Sequence, residues 1–359
     1  MSSSAFPIEV VFLGTGTSSS VPHIDCITAH AIPGSSERPP CRTCLSTIDG
    51  SVEGKKNIRR NTSIALRIPG DKGSATILID CGKNFQAAAL EWFPRFRLRR
   101  IDAVLITHAH ADGKLNVSRA HICLILSDIE AWTLSKRIQP HIDIYASQAT
   151  YEDIKKMFPY LVSKEFASGG GDIPEFVWHI VKEAVPFEIT DTRIFVTPFS
   201  VQHGRLFTRP PPTAPPVLSA NLETSMAQAT LEDTASTLPN GDAVPEDIIQ
   251  PYMCFAFRIQ EDIVYLSDVG HIPDDAWSAL FPPSGRQLPV CILDCLNLRS
   301  HPSHFGLEKS VVAARKIAAK RTYLLGFSHE VAHDEYVTIG EAIGGVEGLA
   351  NLTENEIKG

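Results

Sequence analysis

Short apolar runs bounded by turn residues recur along the chain at Val10–Leu13, Ser63–Ile68, Ala75–Ile79, Ala103–Ile106, Ile142–Ala146, Arg193–Thr197, Cys254–Ile259, Ile263–Ser267, Val290–Leu293 and Thr322–Leu325. Their length and β-branched content predict strands. Apolar positions recur at helical spacing in Asn84–Phe93 and Leu307–Lys320, which predicts helices. Many strands with few helices predict packed sheets with helices outside, a layered α/β architecture. Two segments break this rhythm. The first runs from Arg209 to Gln250 and carries Pro210-Pro211-Pro212, Pro215-Pro216 and then a Ser/Thr/Ala/Asp-rich tract. It buries too little apolar surface to order itself and reads as a disordered, Pro-rich surface insertion over 209–250. The second, 114–127, holds the apolar run Ile122-Cys123-Leu124-Ile125-Leu126 directly after a polar motif. It reads as an atypical insertion, genuine or a retained intron.

Several predicted strands end on a polar side chain. Thr107-His108-Ala109-His110-Ala111-Asp112 follows Val104-Leu105-Ile106. Two imidazoles two residues apart at a strand mouth can grip one metal, and the carboxylate can reach its far side. Asp80 follows Leu78-Ile79, His203 follows Val201-Gln202, and Asp268 follows Tyr265-Leu266-Ser267. His301-Pro302-Ser303-His304 comes after Leu293-Asp294, and His329 follows Leu324-Leu325-Gly326-Phe327-Ser328. Any one of these is a weak signal, but six strand ends with the same form point to a shared site. Gly14 and Gly16 hint at a dinucleotide fingerprint, but position 19 is Ser, so the third glycine is missing.

The series Leu-Ile-Asp-Cys-Gly, Thr-His-Ala-His-Ala-Asp, Gln-His-Gly and Leu-Ser-Asp-Val-Gly resembles the metallo-β-lactamase superfamily. The resemblance implies one domain over 1–359 with the four-layer αββα sandwich of that superfamily. The opening Phe12-Leu13-Gly14-Thr15-Gly16-Thr17-Ser18 and the late His301-Pro302-Ser303-His304-Phe305-Gly306-Leu307-Glu308 are most similar to one branch. That branch holds the cyclic ribose phosphodiesterase of bacterial phosphonate breakdown and, more distantly, the endonucleases that process transfer-RNA tails. By this resemblance His108, His110, His203 and Asp268 hold a catalytic ion, Zn²⁺ or Mn²⁺. Asp112 is a second-site carboxylate or a base, Asp80 holds the histidine loop, and His304 is the late catalytic histidine, with His301 the lesser candidate. The implied activity is a metal-dependent phosphodiesterase using metal-activated water on a small phosphorylated molecule. An ester, thioester or lactone hydrolase of the same superfamily, or a degenerate metal-binding scaffold without turnover, are the alternatives.

The departures from the family pattern are paired. Position 113 is Gly where relatives carry a histidine, and Leu325-Gly326 stands where many carry another. Both missing ligands belong to the second metal, so that site is expected to be weak or vacant. The early cysteines follow the same branch: Cys26, Cys41 and Cys44 with His329 would form a structural Zn²⁺ site, although a Pro-rich stretch separates Cys26 from the Cys41-Arg42-Thr43-Cys44 pair.

Composition narrows the partners. The 359 residues include 33 basic and 41 acidic side chains, a net charge of −8, which argues against gripping long nucleic acid by bulk charge. The hydrophobic fraction of 43% suffices for a large core. No run approaches a membrane span, no basic region with a cleavable apolar core stands before the first strand, so no secretory signal is expected, and the eight cysteines lie mostly in apolar runs as reduced thiols do. A cytoplasmic protein is expected, with the nucleus and a homodimer both admissible.

Overall fold

The computed structural model describes residues 8–29, 41–70, 73–109, 129–166, 174–208 and 248–343. His110, Asp112, the 114–127 segment and residues 209–247 of the Pro-rich segment lie outside the described residues.

Two six-stranded mixed sheets form the frame. The first contains β1 (Glu9–Gly14), β2 (Ser63–Gly70), β3 (Gly73–Ile79), β4 (Ala103–Leu105), β5 (Ile142–Ala146) and β6 (Phe176–Ile180), in that spatial order. Its first three strands are antiparallel and the rest parallel. The second contains β7 (Phe187–Ile189), β8 (Ile194–Thr208), β9 (Ile248–Ile259), β10 (Ile263–Leu266), β11 (Val290–Asp294) and β12 (Arg321–Leu325). There β7 to β10 pair antiparallel and β10 to β12 parallel.

Alternation along the strands assigns their faces. In β3, Ile77 and Ile79 join the layer between the sheets, while Leu78 faces outward. In β10, Ile263 and Tyr265 point into the same central layer, and Val264 and Leu266 point away. The central layer brings Ile64, Leu66 and Leu105 against Phe257, Ile292 and Leu325. Outside the first sheet, Phe85, Ala88 and Phe93 of helix Phe85–Phe96 and Ile154 of helix Gln148–Met157 close a second apolar layer. Outside the second sheet, Ala276 and Leu280 of helix Ala276–Leu280 and Ala313 and Ile317 of helix Leu307–Ile317 close a third. The order is helix, sheet, sheet, helix, as expected: both faces of each sheet are apolar and each needs a cover.

Differences from the expected elements have local causes. Helix Phe85–Phe96 runs through Pro94. In the last turn this proline forgoes one amide bond, and Arg97, at φ 54°, closes the helix by bonding its amide to the Phe93 and Pro94 carbonyls. β8 extends to Thr208 although Pro198, Ser200 and Gln202 break its apolar pattern, because β9 pairs with it along most of its length. That β9 partner starts at Ile248, within the last three positions of the Pro-rich segment. β6 lies at a sheet edge with Val177 and Ile180 exposed, so it lacks the pattern of a buried strand. Among the described residues, no helix is long and apolar enough to cross a membrane.

Candidate metal and catalytic site

The parallel halves of both sheets point their C-terminal ends at one edge, and the chemistry gathers there. β3 delivers Asp80, β4 delivers Thr107 and His108, β10 delivers Asp268 and β11 delivers Asp294. The Phe255 amide donates to the Thr107 carbonyl at 2.9 Å, which ties β9 to the end of β4.

His203 arrives differently from expectation. It sits inside β8, at a register shift between Gln202 and Arg205. A bulge re-aims the side chains at its own position, here with Gly204 at φ 76°. The Gln202 carbonyl accepts from Gly270 at 2.7 Å, and the Gln202 amide donates to His271 at 2.9 Å, locking this bulge to the Asp268 loop. Gly270 is required at that junction, because a Cβ there would stand 2.8 Å from the Pro302 carbonyl oxygen.

One ligand atom from each of His108, His203 and Asp268 lies within 4.8 Å of the others. The rings of His108 and His203 have centroids 4.9 Å apart. Each ring is held at its Nδ1. The His203 Nδ1 lies 2.9 Å from the Ser303 carbonyl oxygen, which only accepts, so Nδ1 carries the proton and Nε2 the lone pair. The His108 Nδ1 lies 2.8 Å from Thr107 Oγ1. The Thr107 hydroxyl and amide both donate to Asp80 at 3.0 Å, so Oγ1 is left to accept from His108. Asp80 thus acts on His108 through Thr107, which is how a carboxylate behind a ligand fixes ring orientation and tautomer. Desolvation pushes the Asp80 carboxyl up to about 7, opposed by the Thr107 bonds and reinforced by Asp268. Two lone-pair nitrogens and a carboxylate suit a divalent cation.

His304 stands beside this cluster, its ring centroid 4.8 Å from that of His203. Its Nδ1 bonds Asp294 Oδ2 at 3.0 Å. Asp294 is completely buried, and the same oxygen accepts from the Val269 and Phe305 amides at 3.1 Å each. Burial pushes its carboxyl up, while His304 draws it down. His301 lies further out, exposed, with its Nδ1 2.8 Å from Ser303 Oγ.

The structure also answers the question of the last strand. Leu325 is fully buried between the sheets, and Gly326 adopts φ 87°. A Cβ on Gly326 would meet Asp294 Oδ1 at 2.7 Å. No side chain can stand there while Asp294 keeps its place.

The second cluster joins Cys26, Cys41, Cys44 and His329. Cys26 is on helix Ile24–Thr28, Cys41 caps helix Arg42–Ser46, and Cys44 lies inside it. The His329 Nδ1 is 3.3, 3.4 and 3.5 Å from the sulfurs of Cys26, Cys41 and Cys44, and the Cys26 and Cys41 sulfurs are 3.8 Å apart. With Zn–S of about 2.3 Å and Zn–N of about 2.0–2.1 Å, a tetrahedron has S···N edges of about 3.6 Å and S···S edges of about 3.8 Å. The four ligand atoms therefore fit zinc. Burial pushes the Cys44 thiol up to about 12, so a bare pocket disfavours thiolate, the form a metal requires. Arg59, itself buried, donates to the Ser328 and Val331 carbonyls on both sides of His329.

A cleft of about 380 Å³ runs between the two clusters and is lined by Asp80, His203, Asp268 and His304 at one end and by His23 and His329 at the other. No sequence motif assigns a role to Thr107, Asp294 or Tyr252, whose ring lies 5.9 Å from that of His108. Asp294 had a legible signal, a carboxylate closing an apolar run just as Asp80 does. Tyr252 had none.

Residues 75–223 match a family described as a β-lactamase superfamily domain. An octanoyltransferase of Porphyromonas gingivalis strain W83 is 29% identical over 201 residues, which cover 55% of this chain. The match spans only about a third, 32%, of that curated relative. A crystal structure of a diphosphatase from the PhnP family superposes with a TM-score of 0.58 at 22% identity, covering 92% of this chain and 90% of its own. Unliganded yeast PDE1 gives 0.45 at 13% identity, covering 79% and 88%. Residues 75–223 thus resemble a β-lactamase superfamily domain, and the chain shares its fold with the PhnP-family diphosphatase.

Proposed function

We propose that the protein is a metal-dependent phosphodiesterase acting on a small phosphorylated molecule, in the branch that its opening and late motifs resemble. The observation that carries this reading is the pairing of His304 with the buried Asp294 beside the His108, His203 and Asp268 cluster. These three residues, with His110 by the family pattern, would hold a divalent ion, Zn²⁺ or Mn²⁺. Bound there, the ion supplies Lewis acidity and an acidified water, the chemistry that hydrolysis at neutral pH needs.

The chain's own groups do the rest. His203 and His108 are held in the tautomer that offers Nε2 to the site. Asp80 anchors the His108 loop through Thr107. His304 keeps its Nδ1 proton on Asp294 and turns Nε2 toward the cleft. Protonated, that nitrogen donates to a phosphoryl or leaving oxygen, a contribution worth roughly 10² to 10⁴ in rate. Asp112 is the proposed base or second carboxylate. Cys26, Cys41, Cys44 and His329 would hold a structural Zn²⁺ that fixes the far wall of the cleft. Reduced cysteines with these roles suit the cytosol or nucleus.

The octanoyltransferase name does not transfer to this chain, since most of that protein lies outside the match. The non-catalytic scaffold has one observation in its favour, Gly326 at the place of a lost ligand. Assays with bis-p-nitrophenyl phosphate and p-nitrophenyl acetate under Zn²⁺ and Mn²⁺ decide among the readings. Turnover of the diester that His304→Ala lowers at least about 10²-fold supports the phosphodiesterase. Turnover of the acetate alone, or of neither, overturns it.

A further inference from the structure

We infer that the exposed basic cluster of Arg95, Arg97, Arg99, Arg100, Lys136 and Arg137 is a docking surface for an anionic lipid bilayer, at the end of the fold opposite the cleft.

Four arginines fall within positions 95–100, in a chain whose net charge is −8. All four are exposed, as are Lys136 and Arg137. Hydrogen bonds strap the two segments together. Trp132 Nε1 donates to the Arg99 carbonyl at 2.7 Å. The Gln139 side chain accepts from the Ile101 amide at 2.9 Å and donates to the Ile101 carbonyl at 2.7 Å. One segment leads into β4 and the other into β5, which run parallel to each other and to β3. The cluster therefore stands at the N-terminal ends of these strands, whereas Asp80 and His108 leave the C-terminal ends.

Local structure employs only part of this charge. Arg95 lies 3.6 Å from Glu91 and 5.0 Å from the centroid of the Trp92 ring, and Arg100 lies 3.6 Å from Asp102. Arg97 closes helix Phe85–Phe96, where a cation offsets the helix dipole. Arg99, Lys136 and Arg137 have no such task, since their side chains make no ion pair or hydrogen bond among the described residues. Gathered like charges raise the energy of the folded state, and an anionic partner relieves it.

The apolar neighbours choose the partner. Leu90 on helix Phe85–Phe96 is 73% exposed, Pro94 one turn on is also exposed, and Trp92 and Phe96 are half-buried. A hydrophilic polyanion offers nothing to Leu90, whereas a bilayer places its acyl boundary just beneath its phosphates. A bilayer also meets only the face turned toward it. A long nucleic acid runs on past the cluster and meets the acidic remainder of the surface. Clusters of about four to eight Lys or Arg beside an amphipathic helix are the footprint that acidic lipids recognise.

The test is co-sedimentation of the full-length protein with vesicles of phosphatidylcholine, alone or with about 30% phosphatidylserine. The native protein should bind the serine-lipid vesicles at about 50 mM salt and leave them at about 0.5 M. Arg99→Ala/Arg137→Ala should weaken partitioning about 30-fold, about fivefold for each charge removed. Arg99→Lys/Arg137→Lys keeps the charge and should bind as the native protein does. Lys309→Ala/Arg315→Ala, on the helix outside the other sheet, should weaken binding less than about twofold. Leu90→Ser should weaken it about fivefold. No binding by the native protein, equal binding to pure phosphatidylcholine, or equal losses in the two alanine pairs overturn the docking surface. Retention on poly(U) RNA without binding to vesicles overturns the bilayer as its occupant.

Discussion

Asp294 Oδ2 and His304 Nδ1 are 3.0 Å apart, and the carboxylate that makes this bond is wholly buried at the end of β11. A buried carboxylate holding Nδ1 leaves Nε2 of the same ring as the working atom. In the proposed reaction Asp294 is therefore a positioning residue, with its effect felt through His304. Asp294→Asn should lower kcat about 10- to 100-fold with KM little changed. It should also move the alkaline limb of the pH–rate profile, because the amide no longer stabilises the imidazolium. A kcat loss with an unmoved profile would reduce Asp294 to a packing role.

Gly326 offers a second check on the same carboxylate. Its φ of 87° and the 2.7 Å approach of a Cβ to Asp294 Oδ1 act together. Gly326→Ala should cost about 1–3 kcal/mol of stability from backbone strain alone. Since it also pushes on Asp294, it should slow turnover in the folded protein. Denaturant unfolding with parallel kinetics measures both. An alanine variant as stable and active as the parent would show that this turn has room.

The cysteine cluster predicts a metal that belongs to stability more than to rate. Metal analysis should find one zinc equivalent that Cys44→Ser removes while the catalytic ion remains. Stripping that equivalent should lower Tm by at least about 4 °C. His329 both joins this cluster and lines the cleft, its ring stacked on His23 at 3.7 Å between centroids, so KM should rise as well. A variant that loses a zinc equivalent with Tm and KM unchanged would contradict this coupling.

Arg59 braces the same loop from beneath, donating to the carbonyls of Ser328 and Val331. Arg59→Met keeps the bulk and removes the donors. It should destabilise by about 1–3 kcal/mol, because a buried and a half-buried carbonyl lose their partner. Zinc affinity should weaken with it, and competition with a chromogenic chelator measures that. Unaltered affinity would separate Arg59 from the cluster.

Much of the site was legible because it obeys one local rule, an apolar run closed by a polar side chain. Asp80, His108, Asp268 and the late histidines all follow it. The rule reads strand ends and nothing that tertiary contact creates. His203 satisfied it only in appearance, since it sits at a bulge inside a strand that continues to Thr208. Asp294 met the rule but its partner is ten residues away across a loop, so its role needed coordinates. The edge strands β6 and β7 escaped because edge positions need no apolar alternation. Tyr252 escaped because a residue opposite a site leaves no pattern in its own neighbourhood. The Cys26, Cys41, Cys44 and His329 set was carried by resemblance, and the sulfur–nitrogen distances supply its physical basis.

The proposed centre requires His108, His203 and Asp268 to share one ion. A crystal soaked in Mn²⁺ and measured at the manganese absorption edge tests it most directly. An anomalous peak is expected within about 2.5 Å of one atom from each of the three side chains, absent in crystals of Asp268→Ala. A peak bound elsewhere, or a fully occupied protein with these side chains turned away from the ion, would contradict it.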